Sequence, residues 1–322
     1  LSRNEEHLRR SKQQGNYSNA TVGEFLQRHQ LQEVNHMSTV KDFANNYENK
    51  WCPGCGNFGI LQAMKKAFVA QNLAPHELLI ISGIGQAGKT PHFLKCNFMH
   101  TLHGRALAVA SGAKLANHDL NIVVNSGDGD CYGEGGNHFI HAVRRNLDLT
   151  LLVHNNQIYG LTKGQASPTT EEDMITKIQS HGVLNRPFRP LAVALSLGAG
   201  FVARGFAGQP EELSQLIQAG MNYKGFSLID ILQPCVSFNH LNTTAWYKER
   251  IVDIASLEHD PQDREAALHL AMEWEERIPT GILFQQDEDD FTARNPWLHD
   301  GPMLNREYNT DKINTYIEGL YR

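Results

Sequence analysis

The chain has 322 residues, an ordinary hydrophobic share of 41% and a formal net charge of −6, enough for one large domain or two modest ones with a sizeable core. No apolar run approaches the roughly 20 residues that span a bilayer, and no basic block interleaved with aromatics points to nucleic acid. Five cysteines (Cys52, Cys55, Cys96, Cys131 and Cys235) are too few for a disulfide scaffold at this length. Their odd number, with the charged start "LSRNEEHLRRSKQQGN", favours a reducing cytoplasmic compartment, where C-x-x-C is more often a metal or redox site.

Residues 1–36 are polar and read as a poorly anchored extension, with a short amphipathic helix expected over "VGEFLQRHQLQEV". From residue 37 onward the pattern alternates. A helix is predicted at "GILQAMKKAFVAQNL", which puts Ile60, Met64, Ala67 and Phe68 on one face. Strands are predicted at "ELLIIS", "LNIVVNSG", "LTLLVHNN", "GFVARGF" and "FSLIDIL", with helices at "GGNHFIHAVRRN" and "PEELSQLIQAGMNY". Strands alternating with helices predict an α/β fold: an open, mainly parallel sheet with helices on both faces. A helix at "DREAALHLAMEWEER" and a late strand at "TGILFQ" follow, and the tail after them is expected to wrap a neighbouring surface. The division expected is 1–36, then a ligand-binding domain over 37–250, then an extension over 251–322 that packs on that domain or on a partner.

In open parallel sheets ligands bind beyond the carboxyl ends of the strands. Three glycine-rich segments follow predicted strands: "SGIGQAGK", "SGDGDCYGEGG" and "HNNQIYGLTKG". Within them Asp128 of "GDGD" and Asn156 of "NN" stand 28 positions apart, each just past a strand. A carboxylate and an amide oxygen on adjacent strand ends form a hard-oxygen set suited to Mg²⁺, whose shell is usually completed by phosphate oxygens and water. The glycines flanking Asp128 let the backbone approach a diphosphate, and a helix starting near Glu134 would aim its positive end there. Either motif alone is a common turn; the pair on consecutive strand–loop units is much harder to explain that way.

At this point the residues resemble the thiamine-diphosphate enzymes, whose signature is GDG, nearly thirty residues, then NN. "WCPGCGNFGI", "LHGRALAVASGAKLAN", "GGNHFIHAVRRN", "NNQIYGLTKGQASPT" and "QPCVSFN" are similar, over about residues 40–240, to the β subunit of 2-oxoacid:ferredoxin oxidoreductases. The resemblance implies that Asp128, the Asn156 side chain and the Ile158 carbonyl bind Mg²⁺, and that Gly127, Gly129 and Asp130 surround the diphosphate. It further implies that Ile84, Gly85, Gln86, Ala87 and His103 line the thiamine diphosphate, and that Leu161, Thr162, Lys163 and Gly164 run past it towards the substrate. Alone, His103 would read as a core-edge histidine; the motif around it reverses that. Arg105 and Lys163 either attract a substrate carboxylate or make surface or diphosphate contacts.

The activity implied is oxidative decarboxylation of a 2-oxoacid with coenzyme A, with electrons passed through a 4Fe-4S cluster to ferredoxin. "LTKGQASPT" and a separate, short β chain favour 2-oxoglutarate over pyruvate. The family places the glutamate that activates the aminopyrimidine ring on a pyrimidine-binding domain, and no second βαβ series of that size is visible here. An α subunit is therefore expected to supply it, in a dimer of αβ heterodimers. Cys52, Cys55 and Cys235 match three cluster ligands of the family, but Gln86 stands where a fourth cysteine is usual. Cys96 is the favoured substitute; a non-cysteine or vacant fourth position, or loss of the cluster, are the alternatives. Cys131 reads as a small packed thiol. The rival readings are structural zinc at the C-x-x-C with a scaffolding role, a pyruvate-specific enzyme, and non-oxidative thiamine chemistry without a cluster.

Overall fold

The computed structural model describes residues 38–307 and 309–320. The expected N-terminal extension and its amphipathic helix lie outside the described residues. Residues 38–320 form a single compact unit built on an eight-stranded sheet: β1 (Leu78–Ser82), β2 (Asn97–His100), β3 (Asn121–Gly127), β4 (Leu149–Asn155), β7 (Phe201–Phe206), β8 (Phe226–Leu232), β9 (Ile251–Asp253) and β10 (Ile278–Gln285). A two-stranded ribbon, β5 (Ile158–Tyr159) and β6 (Gln165–Ala166), stands apart. The spatial order is β2-β1-β3-β4-β8-β7-β10-β9, parallel throughout except where β10 runs antiparallel to β7. The five strands predicted before residue 240 and the late strand all appear. The four-residue edge strand β2 was not anticipated, because its residues are all exposed and carry no apolar alternation.

The pleat sorts the core into two layers. On one face Ile81, Ile122, Val124, Leu151, Val153 and Leu228 pack under α2 (Ala106–Ala116), α3 (Gly136–Arg145), α4 (Pro190–Ser196) and α7 (Arg264–Met272). On the other, Ile80, Val123, Leu152, Ala203 and Ile229 pack under α1 (Asn57–Ala70) and α5 (Pro210–Asn222). Two further helices, α6 (Thr244–Arg250) and α8 (Thr310–Leu320), complete the set. The apolar face read from the sequence of α1 is the face that is buried: Ile60, Met64, Ala67 and Phe68 are wholly inaccessible.

Residues 251–322, expected as an extension, supply β9, β10 and α7 to this sheet and core. Asn146 pins the tail. It ends α3 in the left-handed region (φ 52°) that Asn tolerates, accepts from the Phe226 N–H at 2.8 Å and donates to the Asp289 carbonyl at 3.2 Å. Arg294 adds a bond to the Arg145 carbonyl at 2.8 Å. No helix among the described residues is long and apolar enough to cross a membrane.

The chain leaves β1 towards β2 on one side and leaves β3 towards β4 on the other. That reversal splays the two connecting loops and opens a crevice between them at the carboxyl ends, where open α/β sheets hold their ligands.

Candidate active site

A carboxylate closes that crevice from below. Asp130 is buried at 3% exposure, and its Oδ1 accepts from the Ile84 N–H at 3.1 Å, the Gly104 N–H at 2.8 Å and His103 Nδ1 at 2.6 Å. Its Oδ2 accepts from the Ser126 hydroxyl. One side chain thereby ties the loop after β1, the loop before α2 and the end of β3 into a single frame. Gly83 is required beneath it, since a Cβ there would fall 1.7 Å from Asp130 Oδ2. Because a carboxylate only accepts, His103 Nδ1 carries the proton of that contact; Nε2 lies 3.4 Å from Glu134 Oε2. Tyr159 donates to Glu134 at 3.0 Å and approaches the Gly129 carbonyl at 3.1 Å. Asp130, expected beside a diphosphate, does line the cavity, but its oxygens are engaged in this frame.

Above the frame lies a cavity of about 90 Å³. It is lined by Ile84, Gly85, Gln86, Ala87 and His103, by Gly127, Asp128, Gly129 and Asp130, and by Asn156, Ile158, Leu161 and Thr162. The structure therefore brings together all but two of the predicted cofactor-lining residues. Lys163 and Gly164 do not line it: they form the turn between β5 and β6, both at positive φ (73° and 104°), and Lys163 is exposed. Arg105 does not line it either, being exposed and bonded to His138 on α3.

Asp128 sits at the mouth of β3 at 2% exposure. Ser167 donates to it at 2.5 Å, and Thr169 Oγ1 lies 2.7 Å from its Oδ2 and 2.9 Å from Asn155 Oδ1, its one proton serving one of the two. Asn155 in turn donates to Asp230 at 3.1 Å, and Tyr132 donates to Asp230 at 2.7 Å. Burial pushes the Asp128 carboxyl up to about 6; the Ser167 and Thr169 bonds oppose the rise and the Asp230 charge adds to it. Asp230 is likewise raised, first by burial. Asn156 holds its amide oxygen in place by accepting from the Ile158 N–H at 3.1 Å. A buried carboxyl short of positive charge, facing an amide oxygen across a glycine-rich cavity, fits a hydrated divalent cation carrying a diphosphate. Behind it His154 is wholly buried and bridges Asn57 (2.8 Å) and Asn125 (3.0 Å). Burial drives its pKa down to about 3, so the ring is neutral.

A second cavity, of about 60 Å³, abuts the first. Cys52, Cys55, Cys235 and Gln86 line it, together with Lys50, Trp51, Asn156 and Gly160. The two cavities share Gln86, Asn156 and Gly160 as a wall. The tight turn that presents Cys52 and Cys55 is closed by the Cys55 N–H on the Cys52 carbonyl at 3.0 Å and turns through Gly54 at φ 82°. Cys235 follows β8, and the Pro234 carbonyl takes the Gly56 N–H at 3.3 Å. Ser237 donates to Cys52 Sγ at 3.0 Å and Gln233 to Cys55 Sγ at 3.5 Å. Burial first, then the Cys235 and Cys52 charges, hold the Cys55 thiol at about 11.

Among the described residues no three His, Cys, Asp or Glu side chains close on a single metal ion. The cysteines line a space instead, and donors point at two of their sulfurs, an arrangement that suits thiolates held by a metal or an iron–sulfur cluster. Cys96, the favoured fourth ligand, does not line this cavity; like Cys55 it packs against the core layer under α1, and burial alone pushes its thiol up to about 12. Cys131 is buried among the core residues under α3.

Tyr159, Gly160, His154, Ser167, Thr169 and Asp230 escaped the sequence reading. Ser167 and Thr169 lie 39 and 41 residues from Asp128, and only the return of the β5–β6 ribbon brings them to it.

The thiamine pyrophosphate enzyme C-terminal binding-domain family matches residues 83–231, and the family of C-terminal segments of the pyruvate ferredoxin oxidoreductase β chain matches residues 235–300. The chain is 43% identical over 272 residues to the β subunit of 2-oxoacid:ferredoxin oxidoreductase 1 from Aeropyrum pernix, covering 80% of this chain and 86% of that one. It belongs to the β subunits of the 2-oxoacid:ferredoxin oxidoreductases. This β subunit is also 43% identical over 209 residues to the 2-oxoglutarate oxidoreductase subunit KorB of Mycobacterium tuberculosis, covering 65% of this chain and 56% of that one. Its fold superposes, with a TM-score of 0.81 and 36% identity, on the 2-oxoglutarate:ferredoxin oxidoreductase of Magnetococcus marinus solved with 2-oxoglutarate, coenzyme A and succinyl-CoA, covering 87% of this chain and 96% of that one.

Asp130→Ala leaves the Ile84 and Gly104 N–H groups and His103 without their acceptor, at about 1–3 kcal/mol for the buried Gly104 N–H and less for the partly exposed His103. It should lower the thermal midpoint of the β subunit and weaken thiamine diphosphate uptake by about tenfold or more; a calorimetric titration showing wild-type affinity would contradict the frame. Since burial pushes the Asp128 carboxyl up to about 6, a divalent cation taken up there would have to displace its proton at lower pH. Mg²⁺-dependent uptake of the cofactor should therefore weaken from about pH 7 to about pH 5, by up to about tenfold per unit below the carboxyl's pKa. An affinity flat over that range would contradict a raised Asp128 carboxyl that a cation must deprotonate.

Proposed function

We propose that this β subunit, joined to an α subunit, oxidatively decarboxylates 2-oxoglutarate with coenzyme A and passes the electrons through an iron–sulfur cluster to ferredoxin. The observation that carries the reading is the shared wall of Gln86, Asn156 and Gly160, which sets a cation-and-diphosphate cavity against a cavity ringed by three cysteines. When bound, thiamine diphosphate supplies the electron sink for decarboxylation.

The chain's own residues do the rest of the work on this side of the site. Asp128 and the Asn156 side chain hold Mg²⁺, with the Ile158 carbonyl as a third protein ligand. Gly127 and Gly129 admit the diphosphate. Ser167, which donates to Oδ2, and Thr169, whose hydroxyl lies against the same oxygen, orient the Asp128 carboxylate with its other oxygen towards the metal. The loop Ile84–Ala87 and His103, fixed by Asp130, line the remaining wall. His103 lies between the Asp130 and Glu134 carboxylates, placed to hold a proton at Nε2 or deliver it towards the cavity. Cys52, Cys55 and Cys235 hold the cluster.

The α subunit supplies the glutamate for the aminopyrimidine ring and most substrate contacts, in a dimer of αβ heterodimers within a reducing cytoplasm. The 2-oxoglutarate preference is supported by the names of the Mycobacterium and Magnetococcus relatives. The Aeropyrum relative is named for 2-oxoacids in general, which keeps pyruvate as the second reading.

The test is anaerobic co-purification with the α subunit, followed by ferredoxin reduction with coenzyme A and either 2-oxoglutarate or pyruvate. Faster turnover with 2-oxoglutarate, by about tenfold in kcat/KM, is expected. A preference for pyruvate would reverse the substrate assignment, and no turnover with either would overturn the activity.

A further inference from the structure

The cysteine cavity poses a question of valence. Three thiols line it, and an iron–sulfur cluster of the usual kind takes four. Two polar side chains stand in both this cavity and its neighbour: Asn156, whose amide oxygen accepts from the Ile158 N–H, and Gln86 at the end of β1. Its backbone is fixed there, since the Gln86 carbonyl accepts from Trp51 Nε1 at 3.1 Å, tying the glycine loop to the C-x-x-C segment. Its side-chain amide makes no hydrogen bond among the described residues, although the side chain is half-buried and packs beside Gly160. Cys96 lines neither cavity, whereas Cys55, which packs against the same apolar layer, lines the second.

We propose that Gln86 occupies the fourth corner of the cluster site, so that one iron carries an amide oxygen instead of a thiolate and faces the thiamine diphosphate cavity. This rests on the electron-transfer reading above and specifies its cluster: three thiolates, with one chemically distinct iron on the wall that the two cavities share.

Two consequences follow from the donor set. A neutral amide in place of a thiolate removes one negative charge, and net cluster charge is among the factors that set its potential. The potential is therefore higher than with four thiolates. The amide oxygen is also a weaker ligand to iron than sulfur, so that iron leaves first. Under mild oxidation a [4Fe-4S]²⁺ cluster gives one electron to an added oxidant such as ferricyanide and releases Fe²⁺, leaving [3Fe-4S]⁺.

The experiment uses the αβ complex purified anaerobically, as wild type, Gln86→Cys and Cys96→Ser, each loaded with thiamine diphosphate. Iron, sulfide and zinc are assayed, and EPR spectra are recorded before and after ferricyanide, with a redox titration of the cluster. The wild type should lose about one iron per β subunit on oxidation and show the near-isotropic signal of a three-iron cluster. Gln86→Cys should retain that iron, lose the signal and titrate at a lower potential, while Cys96→Ser behaves as wild type.

The assignment is overturned if the wild type keeps all its iron through oxidation and Gln86→Cys leaves the potential unchanged. It is also overturned if Cys96→Ser alone strips iron from the cluster, an outcome that needs no folded Gln86→Cys protein. A complex that binds thiamine diphosphate but holds zinc, or neither iron nor sulfide, fails differently: it overturns the electron-transfer reading itself.

Discussion

The Asp130 carboxylate is the constraint on which the site depends. An open parallel sheet gives strand ends that point the same way, but the loops beyond them have no reason of their own to hold still. Here one buried anion accepts from the loop after β1, the loop before α2 and the β3 strand itself. A buried anion is tolerated only when donors surround it, so the three segments and the carboxylate stabilise one another. His103 gains a fixed tautomer and Ile84–Ala87 a fixed path. Gly83 supplies the clearance, since no larger residue fits against Asp130 Oδ2.

On this frame two chemically unlike cavities share a wall. The Asp128 side is built for hard oxygen chemistry, with donors from Ser167 and Thr169 behind the carboxylate and the Asn156 amide across from it. The cysteine side is soft, with Ser237 and Gln233 pointing at sulfur. Asn156 and Gln86 belong to both. The sheet makes this possible: β1, β3, β4 and β8 are adjacent and parallel, so four strand ends deliver their loops within one small region.

Much of this was legible in the sequence because it depends on local pattern. Strand periodicity, the buried stripe Ile60–Met64–Ala67–Phe68 and glycine loops after strands are set by neighbouring residues, and the structure follows them. What escaped depends on long-range return of the chain. Ser167 and Thr169 reach Asp128 only because the β5–β6 ribbon folds back, and Asp230 is joined to the site through Asn155 across a strand pair. Lys163 and Arg105 carry charges that suit a substrate carboxylate, yet the first sits at an exposed turn and the second is spent on His138. Cys96 stands ten residues from Gln86 in sequence, but it leads into the exposed edge strand β2 and lines neither cavity.

If the two cavities work as one device, electrons cross their shared wall, and EPR of the anaerobic, thiamine-diphosphate-loaded αβ complex without ferredoxin reads that transfer. Adding 2-oxoglutarate should reduce the iron–sulfur cluster at a rate compatible with turnover. Release of CO₂ with the cluster left oxidised would mean that the two cavities are not coupled.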